Sequence, residues 1–543
     1  MSTEIQPVPD VVLADEFPTL ADRPAGTYNQ KSAAWANSEN AMSIRNREIA
    51  VVTHNNATAA REAADIAAPV AEHMAEVIAA PGHAATATAA ANSALASRND
   101  AAASASQAQR IVWEGATGYP KSKPTLLLDY ANSQSFRDGF VRATEAPGRN
   151  SWGRITTVSA SVPRIIFSPE SGECVGLLVE EVSTNLLTWS DDGAQQTPSG
   201  GVIVPNSTLA PDGSNNAWLL RQGSVPESVQ YSHTSNTTTW PTDDVVLGGS
   251  VFLKYAGQER VSVRPGRGLL DQITVNILTG EVVNTGSSVL NYSLDKDVDD
   301  WWRIKSIVAP GNTTQAQRMR VELGGYNFTT PGDGVSGVHI WRPQLEDKGV
   351  VTSPIKTEAS EVTRVAEIAS ISGSRFTDFF NPLAGTFVVE WVHDFDSDEK
   401  TRSIFKLQKI AQLSAASAWR GMGVEYIGAR SVRTTARDSD RDFNASSPGA
   451  VVSVDAGINK SAFFYTETGF CAAINGNISV DSTFTPEQDF RGFLQDLVIA
   501  YIGAGARLGG GGNLEGLYAN KPIRSVNYYP RALSRSELMA ITS

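Results

Sequence analysis

Two hydrophobic rhythms divide this chain. From residue 28 to residue 80, apolar side chains return every seventh position at Trp35, Met42, Ile49, Val70 and Val77, with Asn56 and Ala63 on the same comb. A companion seam three residues on reads Ser38, Arg45, Val52, Ala59, Ile66, His73 and Ala80. A seven-residue repeat keeps one stripe turned toward a partner helix, so the spacing predicts a coiled coil. Asn56 on that stripe is the kind of buried polar residue that fixes register and oligomer state. Arg45, His73 and Pro69 interrupt the pattern. A single amphipathic helix folded onto the rest of the chain would satisfy the same comb. As one continuous helix the segment would reach roughly 80 Å, at about 1.5 Å per residue. Pro81-Gly82 breaks it. Residues 83–110, rich in Ala and Ser, predict a second helix whose small side chains suit close packing in a bundle.

Beyond residue 112 the period drops to two. Short alternating runs recur between turn signals: Gly248-Gly-Ser-Val-Phe-Leu-Lys-Tyr, Arg260-Val-Ser-Val-Arg, Gln272-Ile-Thr-Val-Asn-Ile, Glu281-Val-Val, Asp300-Trp-Trp-Arg-Ile-Lys-Ser-Ile-Val, Arg318-Met-Arg-Val-Glu-Leu and Gly337-Val-His-Ile-Trp. Runs at this spacing predict an antiparallel sandwich or jelly roll, with Leu278-Thr-Gly-Glu as a hairpin turn. A Pro/Thr/Ser-rich stretch from Thr352 to Ser360 places a boundary near residue 370. Strand patterns resume at Gly385-Thr-Phe-Val-Val-Glu-Trp, Ser461-Ala-Phe-Phe-Tyr, Cys471-Ala-Ala-Ile and Ser525-Val-Asn-Tyr-Tyr, with Asn475-Gly-Asn as a turn. A short terminal helix is expected behind a capping pair, Ser534 and Glu537.

The expected fold is therefore mainly β with an N-terminal α-helical, coiled-coil stalk and two antiparallel β-sandwich or jelly-roll domains. Its segments are 1–27, an extended arm or a disordered terminus with four prolines; 28–112, the stalk; 113–370, the first sandwich; and 371–543, the second.

Charge and composition narrow the function. The net charge of −13 and the absence of any Lys/Arg cluster along the sequence argue against nucleic acid as partner. No run of about 18 apolar residues is present, so no membrane insertion is expected. The start, Met1-Ser-Thr-Glu-Ile-Gln-Pro, lacks the basic and apolar stretches of a secretion signal. Two distant cysteines, Cys174 and Cys471, make no disulfide framework and fit assembly in a reducing cytoplasm. A protein acting outside the cell without an export signal must leave another way, and lysis by a phage is one.

Several phrases resemble a known family. Gly176-Leu-Leu-Val-Glu-Glu-Val-Ser-Thr-Asn-Leu-Leu-Thr-Trp-Ser, then Ala210-Pro-Asp-Gly-Ser, Trp341-Arg-Pro-Gln-Leu-Glu and Val362-Thr-Arg-Val-Ala stand in the order found in bacteriophage tail fibre and minor tail structural proteins. Gly385-Thr-Phe-Val-Val-Glu, Ile474-Asn-Gly-Asn and the ending Ile523-Arg-Ser-Val-Asn-Tyr-Tyr-Pro-Arg-Ala-Leu-Ser-Arg-Ser-Glu-Leu resemble their concanavalin A/laminin-G-like domain. The resemblance implies a non-catalytic virion protein assembled in the host cytoplasm. It would form a homotrimer docked to the tail or baseplate by its N-terminus, with a carbohydrate-binding-module-like sandwich and a lectin-like one facing host cell-surface polysaccharide. Threefold presentation would turn weak contacts into avidity.

Candidate chemistry is sparse. For sugar stacking, Trp419 beside Arg420-Gly-Met-Gly and the outward member of the pair Trp301/Trp302 are the aromatic candidates, with Trp302 expected in the core and Trp301 outside. Alternate loop carboxylates can hold Ca²⁺. Of the runs at Asp295/Asp297/Asp299, Asp394/Asp396/Asp398 and Asp438/Asp440/Asp442, the one at Asp394, Asp396 and Asp398 is the metal candidate. No cofactor other than Ca²⁺ is expected. Gly172-Glu-Cys174-Val-Gly176 has nucleophile-elbow spacing but leads into a strand rather than a helix. Glu180 and Glu181, adjacent on a strand, point to opposite faces and cannot form a facing acid pair. The six histidines show no ligand spacing. Gly509-Gly-Gly-Gly lacks the Lys-Ser/Thr of a phosphate cradle. Two other readings remain open: a tailspike depolymerase, which would need paired carboxylates in a cleft, and a purely scaffolding virion protein.

Overall fold

Alternation is what builds the sheets, because successive side chains of a strand face opposite sides. In Ala384–His393, Phe387, Val389 and Trp391 point one way into a core shared with Phe405 and Leu407 of Arg402–Gln408. The computed structural model describes residues 124–543 except 132–138, 236–245, 269, 310–315, 326–327, 394–401, 410–420, 428–430, 439–440, 442, 447–451, 455, 480, 509–513 and 517. The expected arm and stalk, with Trp35, Met42, Ile49, Asn56, Val70 and Val77, lie outside the described residues. So do Trp419 and Asp394, Asp396 and Asp398.

The described chain is mainly β, in several antiparallel sheets. A nine-stranded sheet runs in the order Asn477–Ile478, Gly469–Ile474, Gly457–Thr466, Ala384–His393, Lys521–Tyr529, Cys174–Val179 and Arg164–Phe167, with Leu126–Asp129 also paired to Lys521–Tyr529 and Ser482–Thr483 to Gly469–Ile474. An eight-stranded sheet contributes to the same core through Phe140–Val141, Ile368–Ser372, Ile499–Ile502, Arg402–Gln408, Gly421–Tyr426 and Ser431–Asp438. Aromatic rings fill the space between: Phe387 lies 4.9 Å from Phe405, 4.5 Å from Tyr528 and 5.5 Å from Phe463, centroid to centroid. Such pairs contribute beyond the area they bury.

A second sandwich has its own core. One six-stranded sheet orders Val289–Lys296, Trp301–Val308, Leu247–Ala256, Gly337–Glu346, Ala217–Arg221 and Val202–Thr208. The other orders Glu281–Thr285, Ile273–Asn276, Arg260–Pro265, Arg318–Leu323, Gln230–Thr234 and Pro198–Ser199. Val251, Leu253, Val261, Val263, Ile304, Met319, Val321 and Ile340 are buried between them.

The two sandwiches do not follow one another with a boundary at residue 370. Leu126–Asp129, Phe140–Val141, Arg164–Phe167 and Cys174–Val179 belong to the sheets of the C-terminal sandwich. The six-stranded pair is an insertion within it. The incoming strand Ser183–Asn185 and the returning strand Val362–Arg364 pair antiparallel, with Asn185 opposite Val362 and Ser183 opposite Arg364. Local alternation cannot reveal this, because a strand pattern does not say which sheet it joins.

The turns behave as their residues require. Asn475 and Gly476 both take positive φ, 46° and 77°, between Gly469–Ile474 and Asn477–Ile478, the conformation an Asn-Gly hairpin turn favours. The terminal helix Arg535–Thr542 carries the expected capping pair: the Ser534 amide donates to Glu537 Oε2 at 2.8 Å, and the Glu537 amide to Ser534 Oγ at 3.3 Å.

Candidate functional site

The phrases that carry the resemblance meet where the insertion leaves the outer sandwich. Glu180 and Glu181, just past Cys174–Val179, turn to different partners. Glu180 accepts from Arg164 Nη2 at 2.8 Å, from the Ser353 amide at 2.9 Å and pairs with Arg364 at 3.2 Å. Glu367 accepts from Arg142 Nη1 at 2.6 Å, from Arg164 Nε at 2.7 Å and from the Glu180 amide at 2.9 Å. Three guanidiniums thus enclose two carboxylates, and every one of these side chains is buried. Burial alone would raise Glu180, but Arg164 and Arg364 outweigh it and hold its carboxyl at about 2. Glu181 faces Arg402 at 3.2 Å, Lys348 at 3.8 Å and Asn520 Nδ2 at 2.9 Å.

The remaining phrases add to the same neck. Glu346 takes the Ser183 hydroxyl, the Thr352 amide at 3.0 Å and the Thr352 hydroxyl at 2.7 Å. Asn185 donates to the Pro343 and Ile355 carbonyls at 3.2 and 3.0 Å. Arg342, at φ 45°, binds Asp191 through two hydrogen bonds of 2.8 and 2.5 Å and lies 4.0 Å from the centroid of the Trp341 ring. Glu180 and Glu367 are buried among arginines, so they do not offer the accessible acid and base that a glycosidase cleft requires.

A different arrangement stands on the insertion. Arg260–Pro265 and Arg318–Leu323 are neighbours in the sheet, with Arg264 opposite Arg320 and Ser262 opposite Glu322. Val261, Val263, Met319, Val321 and Leu323 face the core. Alternation therefore puts Arg264, Arg318 and Arg320 on the other face, together with Glu322 and Ser262. Like charges directly across a sheet repel. Glu322 relieves part of this: its Oε1 accepts from Arg264 Nη2 at 2.6 Å and from Arg320 Nη1 at 3.1 Å. Arg318 has no ion-pair partner among the described residues. Burial, then Arg320, Arg267 and Arg264, pull its guanidinium down to about 10. The Nε atoms of Arg318 and Arg320 are buried without a hydrogen-bond acceptor. Hydroxyl-bearing residues border the arginines in register: Ser232 opposite Arg320, Thr234 opposite Arg318, and Thr274 bound to Ser262 at 2.5 Å.

The sequence shows no Lys/Arg cluster, but the sheet makes one. The signal was present in Arg260-Val-Ser-Val-Arg and Arg318-Met-Arg-Val-Glu-Leu, whose period of two sets alternate arginines on one face.

The tryptophan expectation fails for Trp301 alone, which is not exposed. Trp301 is fully buried, with its Nε1 donating to the Leu209 carbonyl at 3.1 Å, and it packs with Ile155, Phe252 and Trp341 beneath the hairpin of Ala146–Arg149 and Ile155–Val158. A ring so enclosed cannot stack on a sugar. Trp302 is partly buried and packs against the core of the inserted sandwich, as expected, with the Lys296 ammonium 4.9 Å from its ring centroid. The hairpin covers Trp301's face, and no pattern within Trp301–Val308 announces that cover. Trp152, at the hairpin tip, is 41% exposed and is an aromatic the sequence did not single out.

The Asp295/Asp297/Asp299 run serves ion pairs: Asp295 with Lys305 at 2.8 Å, Asp297 with Arg149 at 2.6 Å and Asp299 with Arg154 at 2.9 Å. Asp438 pairs with Arg441 at 2.6 Å. Among the described residues no three His, Cys, Asp or Glu side chains gather as a metal site. Cys174 opens a strand, and its Sγ donates to the Tyr130 carbonyl at 3.2 Å.

No family model matches the chain, and no curated protein matches it. Among solved structures it is similar to the CBM40 of a Ruminococcus gnavus IT-sialidase bound to alpha2,3 sialyllactose, at 14% identity over 32% of this chain and 92% of that one, with a TM-score of 0.25. It is also similar to the NanB sialidase of Streptococcus pneumoniae, at 18% identity over 32% of this chain and 26% of that one, TM-score 0.25. A third is Trypanosoma rangeli sialidase, at 12% identity over 60% of each chain, TM-score 0.24. These neighbours are carbohydrate-binding modules and sialidases.

Proposed function

We propose that the chain is a non-catalytic phage tail fibre protein that presents its nested sandwiches to host-surface polysaccharide. The observation that carries the reading is the neck. Phrases from residues 176–190, 341–346 and 362–366, scattered along the sequence, converge on one set of contacts: Glu180 with Arg364, Ser183 with Glu346, Asn185 with Pro343. Contacts among these phrases support a reading in which they form a mount for the inserted sandwich. In this reading residues 1–27 dock to the tail or baseplate, residues 28–112 trimerise the chain, and Asp394, Asp396 and Asp398 take Ca²⁺.

The test has two arms. Antibody labelling of purified phage particles should decorate the tail, and the full-length protein should retain host envelope polysaccharide on a glycan array without shortening it. Absence from particles would overturn the fibre reading, whereas cleavage of the polysaccharide would favour the depolymerase.

A further inference from the structure

We infer that Trp152, at the tip of the hairpin of Ala146–Arg149 and Ile155–Val158, is the stacking platform of a saccharide site, and that the site takes an uncharged pyranose whose hydroxyls reach the carboxylates of Asp299 and Asp300. The inference rests on the polysaccharide-binding reading above and names the class of sugar and the ring that carries it.

Trp152 is the one exposed tryptophan among the described residues. Its backbone is held in place before any ligand arrives. The Trp152 and Arg154 amides both donate to Asn150 Oδ1, at 3.1 and 3.0 Å. The Gly153 amide donates to the Asn150 carbonyl at 2.9 Å, and the Arg149 guanidinium holds the Gly153 carbonyl. Two neighbouring turns crowd the tip. A Cβ on Gly153 would stand 2.6 Å from Pro169 Cα and 3.0 Å from Val298 Cγ1, and one on Gly172 would stand 2.7 Å from the Ser151 carbonyl oxygen. Trp152 therefore sits between the turn at residues 169–172 and the turn at residues 298–300. A ring on so constrained a turn loses little further freedom when a ligand stacks on it.

What surrounds the ring decides the ligand. The exposed residues on those two turns are polar: Glu170 and Ser171 on one, Asp299 and Asp300 on the other. The Asp299 side chain is 43% exposed and pairs with Arg154 at 2.9 Å, and that of Asp300 is 85% exposed and pairs with Lys296 at 3.1 Å. A protein interface gathers several apolar side chains into a core with a polar rim outside it. One aromatic ring among carboxylates and a hydroxyl makes no such core. A pyranose fits better, because it is apolar on its C–H face and hydroxylated around its edge. The indole takes the face, and the carboxylate oxygens, which only accept, take the hydroxyl protons. Glu170, Asp299 and Asp300 outnumber Arg154 and Lys296 here, and the whole chain stands at −13. Both charges oppose an acidic sugar.

The experiment uses the full-length protein and electrophoresis through gels that each carry one polymer: dextran, mannan or galactan, all uncharged, or polygalacturonate, which is acidic. At least one uncharged polymer should retard the protein, and polygalacturonate should not. Trp152→Ala should weaken that retardation by about tenfold or more, while Trp152→Phe, which keeps a smaller ring, should recover part of it. Asp299→Asn suits the same left-handed backbone, at φ 53°, and should weaken retardation several-fold. Both side chains lie at the surface, so the three variants should match the wild type in melting temperature and in mass by light scattering. Loss of retardation with melting and mass unchanged is a result that a purely structural role for Trp152 does not produce. Equal retardation of Trp152→Ala and wild type would overturn the inference and leave the polysaccharide reading standing. So would retardation by polygalacturonate alone. A fall in mass in Trp152→Ala would show that the ring meets another protein chain, which also overturns the inference. If none of the four polymers retards the protein, the inference falls, and the glycan array described above decides the polysaccharide reading by itself.

Discussion

Arg164 and Glu367 stand 203 residues apart in the chain and are locked by two parallel hydrogen bonds, Arg164 Nε to Glu367 Oε1 at 2.7 Å and Arg164 Nη2 to Glu367 Oε2, with both side chains fully buried. The pair joins a strand that precedes the insertion to the first stretch after it. Replacing Glu367 by Gln would leave Arg142 and Arg164 enclosed without their shared counter-charge, which costs about 3–5 kcal/mol for a broken buried pair. The expected outcome is a clear fall in the denaturation midpoint by urea. A midpoint within the error of the wild type would show that water reaches the cluster.

Acid should loosen the two sandwiches at different pH. Burial pulls His233 down to about 4, and burial with a smaller push from Lys254 does the same to His339. An unfolded imidazole protonates near 6.5. Between those values the unfolded chain binds more protons, so the stability tied to these histidines is complete above about 6.5 and is lost as pH falls toward 4. Glu180, held at about 2 against an ordinary value of 4.5, keeps its contribution until pH drops below about 4.5 and loses it toward 2. Calorimetry from pH 7 to 2 should show the inserted sandwich weakening first. The slope between 6.5 and 4 should flatten in His233→Gln combined with His339→Gln, and a slope that does not change would refute the assignment.

The insertion should be removable. Asn185 and Val362 are direct partners across the two short strands, so a two-residue turn between them asks little of the backbone. A chain in which such a turn replaces residues 186–361 should keep the near-ultraviolet signal of the outer aromatic core. An unfolded product would mean that the outer sandwich depends on its guest.

Gly385 is held by crowding rather than by a special backbone angle. A methyl group there would press on the hydroxyls of Tyr465 and Tyr528, which bind each other at 2.9 Å and reach the Asn381 carbonyl. Gly385→Ala should cost about 1–3 kcal/mol, the usual penalty for overpacking a full core. Thermal melts read it directly, and Tyr465→Phe should soften the penalty if the hydroxyl is the obstacle.

Local patterns carried most of the elements and little of their assembly. Gly337-Val-His-Ile-Trp, Ser461-Ala-Phe-Phe-Tyr and the Asn475-Gly turn were legible because strand alternation and positive-φ residues act over a few positions. The pairing of Lys521–Tyr529 with Leu126–Asp129 and with Cys174–Val179 was not, because hydrogen bonds between strands leave no mark on either strand's composition. The burial of Trp301 has the same origin: alternation shows that the two rings face apart, but not that Ile155, Ala210, Phe252 and Trp341 close around the outward one. The arginine face was readable strand by strand, and came together only with Arg264 and Arg320 in register.

The nesting also sets an order of events at the ribosome. Lys521–Tyr529 is the strand on which Leu126–Asp129, Cys174–Val179 and Ala384–His393 all close, and it is made after all three. At translation rates of roughly 5–20 residues per second, Cys174–Val179 waits for roughly 20–70 s before its partner emerges. The inserted sandwich has all of its own strands in hand well before that. The nascent chain therefore carries a folded guest inside an unfinished host, with Leu126–Asp129 and Cys174–Val179 lacking their Lys521–Tyr529 partner for the whole interval. That is the period in which a chaperone would matter most to the yield of this protein.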